Sequence, residues 1–367
     1  MGGASAVTAW VLQALCDDFD VHLATPDREV DFGRLDVLYG TSLAQADIRV
    51  HELSLPEWLN RVPAGKLKSL RLAASFQPQA LTGLRGGLIF NTANEMSFHG
   101  RAVNYIHCPI RHPQIVSELY KVPQRWMRLA NNAAFKAVSR FDEQHFRQAR
   151  CIANGTWTAA ALLRAYNIKA QIVHPPVAIT ARRRRPITER AAGFVCVGRI
   201  TKDKRTLDAI DVIDALRRRG HDVHLHIVGS GEGRYARAVE AAAHQRPYVA
   251  VERAPDRIQL AEIFTGHRFG LHMMRNEHFG MAVAEMTALG MLVLAHRSAG
   301  PLEILGQESP LLFDDTSQAI SIASTLLKSA TRQKELAAEL AEQDLAQTYS
   351  PDAFMNSIRR VVQEALH

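Results

Sequence analysis

The feature that most constrains this chain is a rhythm. Short apolar runs alternate with amphipathic stretches from one end to the other. A short apolar run closed by glycine or charge reads as a buried strand, and the amphipathic stretch after it as the helix crossing back over the sheet. Repeated units of this kind build parallel sheets covered by helices. In the second half the strands are "GFVCVGR", "VHLHIVGSG", "VAVERA", "FGLHMMR" and "LVLAHRS". Helices are predicted after them at about 204–219, 233–245, 256–266, 279–289 and 301–306, with a helical tail over 316–347. In the first half the strand candidates are "DVHLAT", "LDVLYG", "GLIFNTANE", "AVNYIHC", "FKAVSR", "RCIANG" and "AQIVHPP". Helices are predicted there at 4–16, 111–132, 141–149 and 155–166.

Between the halves, "HPPVAITARRRRPITER" breaks both periods and reads as a linker. The expected organisation is a first Rossmann-like domain over 1–176, a linker over 177–190 and a second Rossmann-like domain over 191–347. A C-terminal helix over 348–367 is expected to return to the first domain. Two doubly wound α/β domains on one linker face a cleft, and ligands bind such sheets beyond the carboxyl ends of the strands.

Charge is unevenly placed. Residues 1–185 carry 23 Lys+Arg against 14 Asp+Glu, and the remainder carries 21 against 23. A basic half attracts phosphorylated substrates or acidic lipid headgroups, and equally serves as a solvated surface. Its cations are not interleaved with aromatics, so nucleic acid is not an expected partner. No apolar run reaches the roughly 18 residues of a membrane span. Residues 1–15 lack the basic start of a signal peptide. The four cysteines are scattered, which fits reduced thiols in a cytoplasmic protein and no zinc site.

The most informative stretch is "RNEHFGMAVAEMTALGMLVLAHRSAGPLEIL". A buried strand ends near Arg275, Glu277 and His278 sit in a turn, and Phe279-Gly280 opens a helix. The free N–H groups and positive dipole at that helix start suit a diphosphate, and Gly280 lets a ligand approach the backbone. Glu285 lies in the second turn, with seven residues between it and Glu277, and needs a partner if that helix is packed. His272, His278 and His296 lie on different elements without ligand spacing, so no metal is expected.

This segment resembles the nucleotide-sugar site of the retaining glycosyltransferases of family four, which have the GT-B fold. The resemblance is carried by the glutamate pair with Phe-Gly after its first member, by "GRITKDK", by the Gly-rich turn "IVGSGEG" and by "SAGPLEIL". More finely, "YIHCP", "IANGTWTAALL", "IVHPPV", "RNEHFG" and "LAHRSAGP" resemble the α-1,2-mannosyltransferases that extend lipid-linked oligosaccharides. Ala299 stands where those relatives have glycine.

The resemblance implies roles residue by residue. Arg199 and Lys204 neutralise the donor diphosphate as it leaves. Glu277 holds sugar hydroxyls, Glu285 holds ribose hydroxyls, and backbone groups at His278, Phe279 and Gly280 assist. Gly229 belongs to the Gly-rich turn and Glu303 follows the last Gly loop. His107 reaches the sugar from the first domain. Gly2 and Gly3 of "MGGASAV" match a Gly-Gly-Ala turn that normally follows an apolar strand. That strand is absent before Met1, so the first domain is expected to lack its first strand, and either the native chain starts upstream or this is a truncated or misassigned reading frame, which would compromise activity of the chain as it stands. The implied reaction is retaining, metal-independent transfer of a hexose, with mannose and GDP-mannose favoured over a UDP-sugar. The implied acceptor is a saccharide or lipid-linked saccharide, as in polysaccharide biosynthesis. No cofactor beyond that co-substrate is implied, and peripheral contact with an anionic membrane at its inner face is a further expectation. A non-catalytic or truncated nucleotide-sugar-binding protein of the same fold is the alternative; an epimerase or phosphorylase lacks this glutamate pair.

Overall fold

A computed structural model describes residues 2–26, 29–53, 87–179, 181, 185–253 and 255–367. Arg182, Arg183 and Arg184 of the arginine run, and part of the basic stretch after Glu57, lie outside the described residues. The chain divides into two units. One gathers Pro175–Ala353 with Met1–Ser5 and Val37–Gly40; the other gathers Ala6–Asp36, Thr41–His174 and Phe354–His367.

The unit built on Thr41–His174 takes its first helix from α1 (Gly3–Leu15), which buries Ala6, Val7, Ala9, Trp10, Val11, Leu12, Ala14 and Leu15. Burial on more than one side marks it as a core helix rather than a surface one. Strand β1 (Val21–Thr25) is followed by α2 (Phe32–Tyr39) and by β2 (Ile48–Glu52), which pairs parallel to β1 with Val21 opposite Ile48. Then come β3 (Ile89–Asn91), β4 (Ala102–Ile106), α3 (Pro113–Leu119), α4 (Gln124–Ser139), α5 (Glu143–Gln148), β5 (Arg150–Ala153), α6 (Thr156–Tyr166) and β6 (Gln171–Ile172). Strands β3 to β6 form a four-stranded parallel sheet in chain order, and β1 with β2 a separate parallel pair.

Several local expectations are corrected here. Residues 35–40, predicted as a strand, fall largely within α2. Residues 135–140, also predicted as a strand, close α4, where Asn132, Phe135 and Ser139 are buried at helical spacing and Arg140 caps the end with φ 51°. The single helix predicted over 111–132 is two helices, because Pro123 has no N–H to give a helix interior. Strand β2 was not predicted; its sequence IRVHE is exposed at Arg49, Val50 and Glu52, and its burial does not alternate.

The other unit holds β7 (Ala191–Val197), α7 (Thr206–Arg218), β8 (Leu225–Val228), α8 (Gly233–His244), β9 (Val249–Glu252), α9 (Arg257–Gly266), β10 (His267–His272), α10 (Met281–Ala288), β11 (Leu292–His296), α11 (Gly300–Leu305) and β12 (Leu312–Phe313). Its tail is three helices rather than one: α12 (Thr316–Leu327), α13 (Ala330–Glu342) and α14 (Leu345–Thr348). Ser329 and Asp344 break the run, since their side chains accept from backbone N–H groups and cap the next helix.

The six strands are parallel in the order β12-β11-β10-β7-β8-β9. In this doubly wound order the chain reverses direction across the sheet between β7 and β10. Phe194 and Phe269 stack across that central pair, ring centres 4.9 Å apart, both without solvent exposure. Each such ring contributes about 1.5–3 kcal/mol by burial. The place where a ligand crevice forms in such a sheet is therefore built on a pair of strands with a fully buried aromatic contact.

The chain ends in α15 (Pro351–Leu366), which buries Phe354, Ile358, Val361 and Val362. Its Glu364 pairs with Arg150 and its Leu366 carbonyl accepts from Arg101 at 2.6 Å.

Candidate active site

Two loops leave the carboxyl ends of β7 and β10. After β7, Gly198 turns with φ 143°, Arg199 is exposed, and a short 3-10 turn presents Lys204. The turn "GSG" after β8 lies against this loop. A Cβ on Gly229 would stand 1.9 Å from the Gly198 carbonyl oxygen, and one on Gly231 would stand 2.3 Å from that of Ile200. No side chain fits either place, so these glycines permit the close approach of two loops.

After β10, Glu277 sits just before Gly280, which opens α10 with φ 96°. The Glu277 carboxylate gathers the site: Lys204 Nζ donates to its Oε2, and His272 Nε2 lies 3.1 Å from the same oxygen. A carboxylate only accepts, so Nε2 carries the proton. Burial pushes Glu277 up, but the His272 hydrogen bond and the Lys204 charge outweigh it and hold the carboxyl well below the usual range. Burial, aided by Lys204, lowers His272, which stays neutral at pH 7. His278 is lowered in the same way.

The loop before α11 packs onto this turn. Gly300 N–H donates to the Glu277 carbonyl at 2.8 Å, and a Cβ on Gly300 would stand 2.0 Å from the Phe279 carbonyl oxygen. Ser298 Oγ accepts from Asn276 N–H at 2.9 Å and lies 2.9 Å from His296 Nδ1. Phe279 is buried edge-on against Tyr349, and Tyr349 is pushed up to about 12 by burial and then by the Glu303 carboxylate.

Arg199, Lys204, Gly229, Glu277, His278, Phe279, Gly280, Glu285 and Glu303 thus belong to one unit, as do Gly2 and Gly3. A Cβ on Gly2 would stand 3.8 Å from Arg199 Nε, and one on Gly3 3.0 Å from Met281 Sδ. Glu285 is only 7% exposed and its partner is Arg257, Nη1 to Oε1 at 2.9 Å. Arg257 begins α9 and no local signal points to it. His272 was considered only as a metal ligand; its role as the second donor to Glu277 emerges from the fold. His107 belongs to the other unit, where Asn94 Oδ1 accepts from its N–H at 2.8 Å and its Nε2 lies 3.2 Å from the Thr92 carbonyl oxygen.

With Lys204 held by Glu277, the space bounded by Gly198, Lys204, Thr206, His272 and Met273 is about 10 Å³, the room of one water. A hollow of about 390 Å³ in the other unit, bounded by Arg150, Tyr166, Lys169 and Gln171, contains none of the nominated residues. Among the described residues no group of three or more His, Cys, Asp or Glu is arranged to hold a metal. No described helix is long and apolar enough to cross a membrane.

This geometry coincides with a family match. Residues 178–347 match the model of "Glycosyl transferases group 1". Residues 178–347 form a group 1 glycosyl transferase domain. The glycosyl transferase domain also carries most of the nominated residues. Among individual relatives, a GDP-Man:Man(3)GlcNAc(2)-PP-Dol alpha-1,2-mannosyltransferase of Eremothecium gossypii is 25% identical over 223 residues, 54% of this chain and 38% of that enzyme. The match thus spans well under two thirds of that enzyme. The Homo sapiens protein of the same name is 59% identical over 32 residues, 9% of this chain and 6% of its own. Among solved structures, WaaG, a glycosyltransferase involved in lipopolysaccharide biosynthesis, superposes with TM-score 0.72 at 16% identity over 98% of this chain and 96% of WaaG. The Anabaena protein HepE, solved with UDP and glucose, gives 0.68 at 16% identity over 99% and 96%. At these identities the likeness shows the fold: this is a GT-B chain, the glycosyl transferase domain being one of its two α/β units.

Proposed function

We propose that the chain is a retaining, metal-independent hexosyltransferase that takes its sugar from a nucleoside diphosphate, with GDP-mannose as the favoured donor. The observation that carries this reading is the Lys204–Glu277–His272 cluster at the β7/β10 crossover, beside the start of α10. Two relatives point to the donor: one is named a GDP-mannose enzyme and one is solved with UDP and glucose.

The chemistry follows from charge. A departing nucleoside diphosphate gains negative charge, and fixed cations aimed at it lower the barrier. Arg199 and Lys204 supply those cations, and N–H groups at the start of α10 add their dipole. In the free protein Lys204 is engaged by Glu277. Donor binding draws Lys204 onto the diphosphate and releases Glu277 to accept from sugar hydroxyls. The His272 hydrogen bond, the largest influence lowering the Glu277 pKa, stays in place and keeps the carboxylate an acceptor when Lys204 leaves. The bond from the anomeric carbon to the diphosphate oxygen breaks. The acceptor oxygen bonds to that carbon on the same face, and the acceptor's proton passes to the departing phosphate oxygen. No protein nucleophile is required.

Glu285 is held for the donor's ribose by Arg257, and Glu303 and Gly229 border the donor loops. His107 serves the sugar from the first domain, and Gly2 and Gly3 border the donor beside Arg199 and Met281. The acceptor is a saccharide or lipid-linked saccharide, and the protein works in the cytoplasm as a peripheral protein of the membrane that holds it. The PP-Dol in the relatives' printed name and the basic excess through residue 185 support that acceptor. The test is a transfer assay with GDP- and UDP-hexoses, the product's anomeric configuration read by NMR. An α-linked product from an α-linked donor is expected. Inversion, or no turnover with any nucleotide sugar and saccharide acceptor, would overturn the reading.

A further inference from the structure

The unit that holds His107 displays one surface no part of this chemistry uses. Val122, Trp126 and Met127 are 58%, 62% and 69% exposed, the largest group of exposed apolar side chains close together in sequence among the described residues. They lie on the first turns of α4 and the residues leading into it. Burial on this helix starts only at Asn132 and continues at Phe135 and Ser139. In the first half of α4 no residue is fully buried, with only Arg125, Leu129 and Asn131 half-buried.

The cations around this patch are equally specific. Lys121, Arg125, Arg128, Lys136 and Arg140 lie in residues 119–141, which contain no aspartate or glutamate. Arg125 sits over the Trp126 ring at 5.6 Å and Arg128 over Tyr120 at 4.8 Å. Each of these two rings therefore has one cation beside it. Nucleic acid would use the cations and could stack on Trp126, but would leave Val122 and Met127 in water. An anionic bilayer uses all of them. Tryptophan favours the headgroup boundary, short apolar side chains reach the acyl layer, and cations meet anionic headgroups.

We infer that the start of α4, through Val122, Trp126 and Met127 with Lys121, Arg125 and Arg128, docks the protein onto an anionic lipid surface. This deepens the peripheral membrane reading above and does not depend on which donor is used.

Vesicle co-sedimentation of the full chain tests it, with phosphatidylcholine alone and with added phosphatidylglycerol, at low and high salt. The unaltered chain binds only the anionic vesicles at low salt, and its Trp fluorescence shifts to the blue. Arg125→Gln with Arg128→Gln lowers partitioning about 25-fold, from about fivefold per cation near an anionic surface. Trp126→Ala with Met127→Ala lowers it about 10-fold or more and removes the blue shift. Both variants keep the thermal midpoint and nucleotide-sugar binding of the unaltered chain, since these side chains pack on nothing buried. Anionic binding that survives both variants would overturn this surface and leave the membrane reading standing. No binding to anionic vesicles at low salt would overturn both. A dimer that dissolves on Trp126→Ala, without vesicle binding, would assign the patch to a second copy and overturn the inference.

Discussion

Glu95 offers a stability prediction whose size follows from its surroundings. It lies just after β3 with no solvent exposure. Its Oε1 accepts from Arg111 N–H at 2.7 Å and from the Tyr166 hydroxyl at 3.4 Å, while Oε2 has no partner among the described residues. Burial outweighs the Arg111 hydrogen bond and the Arg111 and Lys136 charges, and pushes the carboxyl from 4.5 up to about 7. A carboxyl with a raised folded pKa holds its proton more tightly in the folded chain. Its contribution to stability is intact below about pH 4.5 and is lost as pH rises to about 7, where the loss levels off. At roughly 1.4 kcal/mol per pH unit across that window, the loss is about 3 kcal/mol. Glu95→Gln keeps an acceptor for Arg111 and cannot ionise. Urea unfolding of both chains between about pH 5 and pH 8 should show the variant gaining about 2–3 kcal/mol on the unaltered protein over that range. A stability difference that stays constant with pH would refute the reasoning.

Other outcomes follow from single contacts. Arg257→Leu strands the buried Glu285 carboxylate and should destabilise the glycosyl transferase domain by about 3–5 kcal/mol in urea unfolding, where a change near zero would contradict the pairing. Ala299 holds φ 51°, ψ −126°, a conformation that favours glycine. Relief of about 1–3 kcal/mol of strain, less about 0.5–1 for glycine's added freedom, makes Ala299→Gly stabilising by about 1 kcal/mol. A lower thermal midpoint in that variant would speak against strain at this turn. Dialysis against a chelator should leave hexosyl transfer unchanged, whereas activity lost and then restored by a divalent cation would contradict metal independence.

Most of the glycosyl transferase domain was legible because strands such as β10 and β11 are buried along most of their length and appear as compact apolar runs ended by glycine or charge. The two-residue β12 was not predicted, being too short to leave such a run. The other unit was less so. "FKAVSR" alternates like a strand, yet Phe135 is one of three residues spaced to bury one face of α4, a pattern visible only when Asn132 is included. β2 was missed because half of its short sequence faces solvent. At the site, Glu277 and the loop glycines could be named from local sequence, because backbone turns and helix starts have local signatures. Arg257 could not, since it meets Glu285 from 28 residues upstream by way of the sheet order. The engagement of Lys204 by Glu277 is likewise a product of β7 lying beside β10, which no linear motif records.

The central claim is that the β7/β10 crossover binds a nucleoside diphosphate sugar through Lys204. Calorimetric titration of the full chain and of Lys204→Ala with GDP-mannose and UDP-glucose tests it most directly. The account predicts binding of at least one donor, GDP-mannose the tighter, and a loss of about 10–100-fold in the variant, the worth of one charge-assisted contact of about 1.5–3 kcal/mol. Binding of neither donor, or equal affinity in the variant, would contradict it.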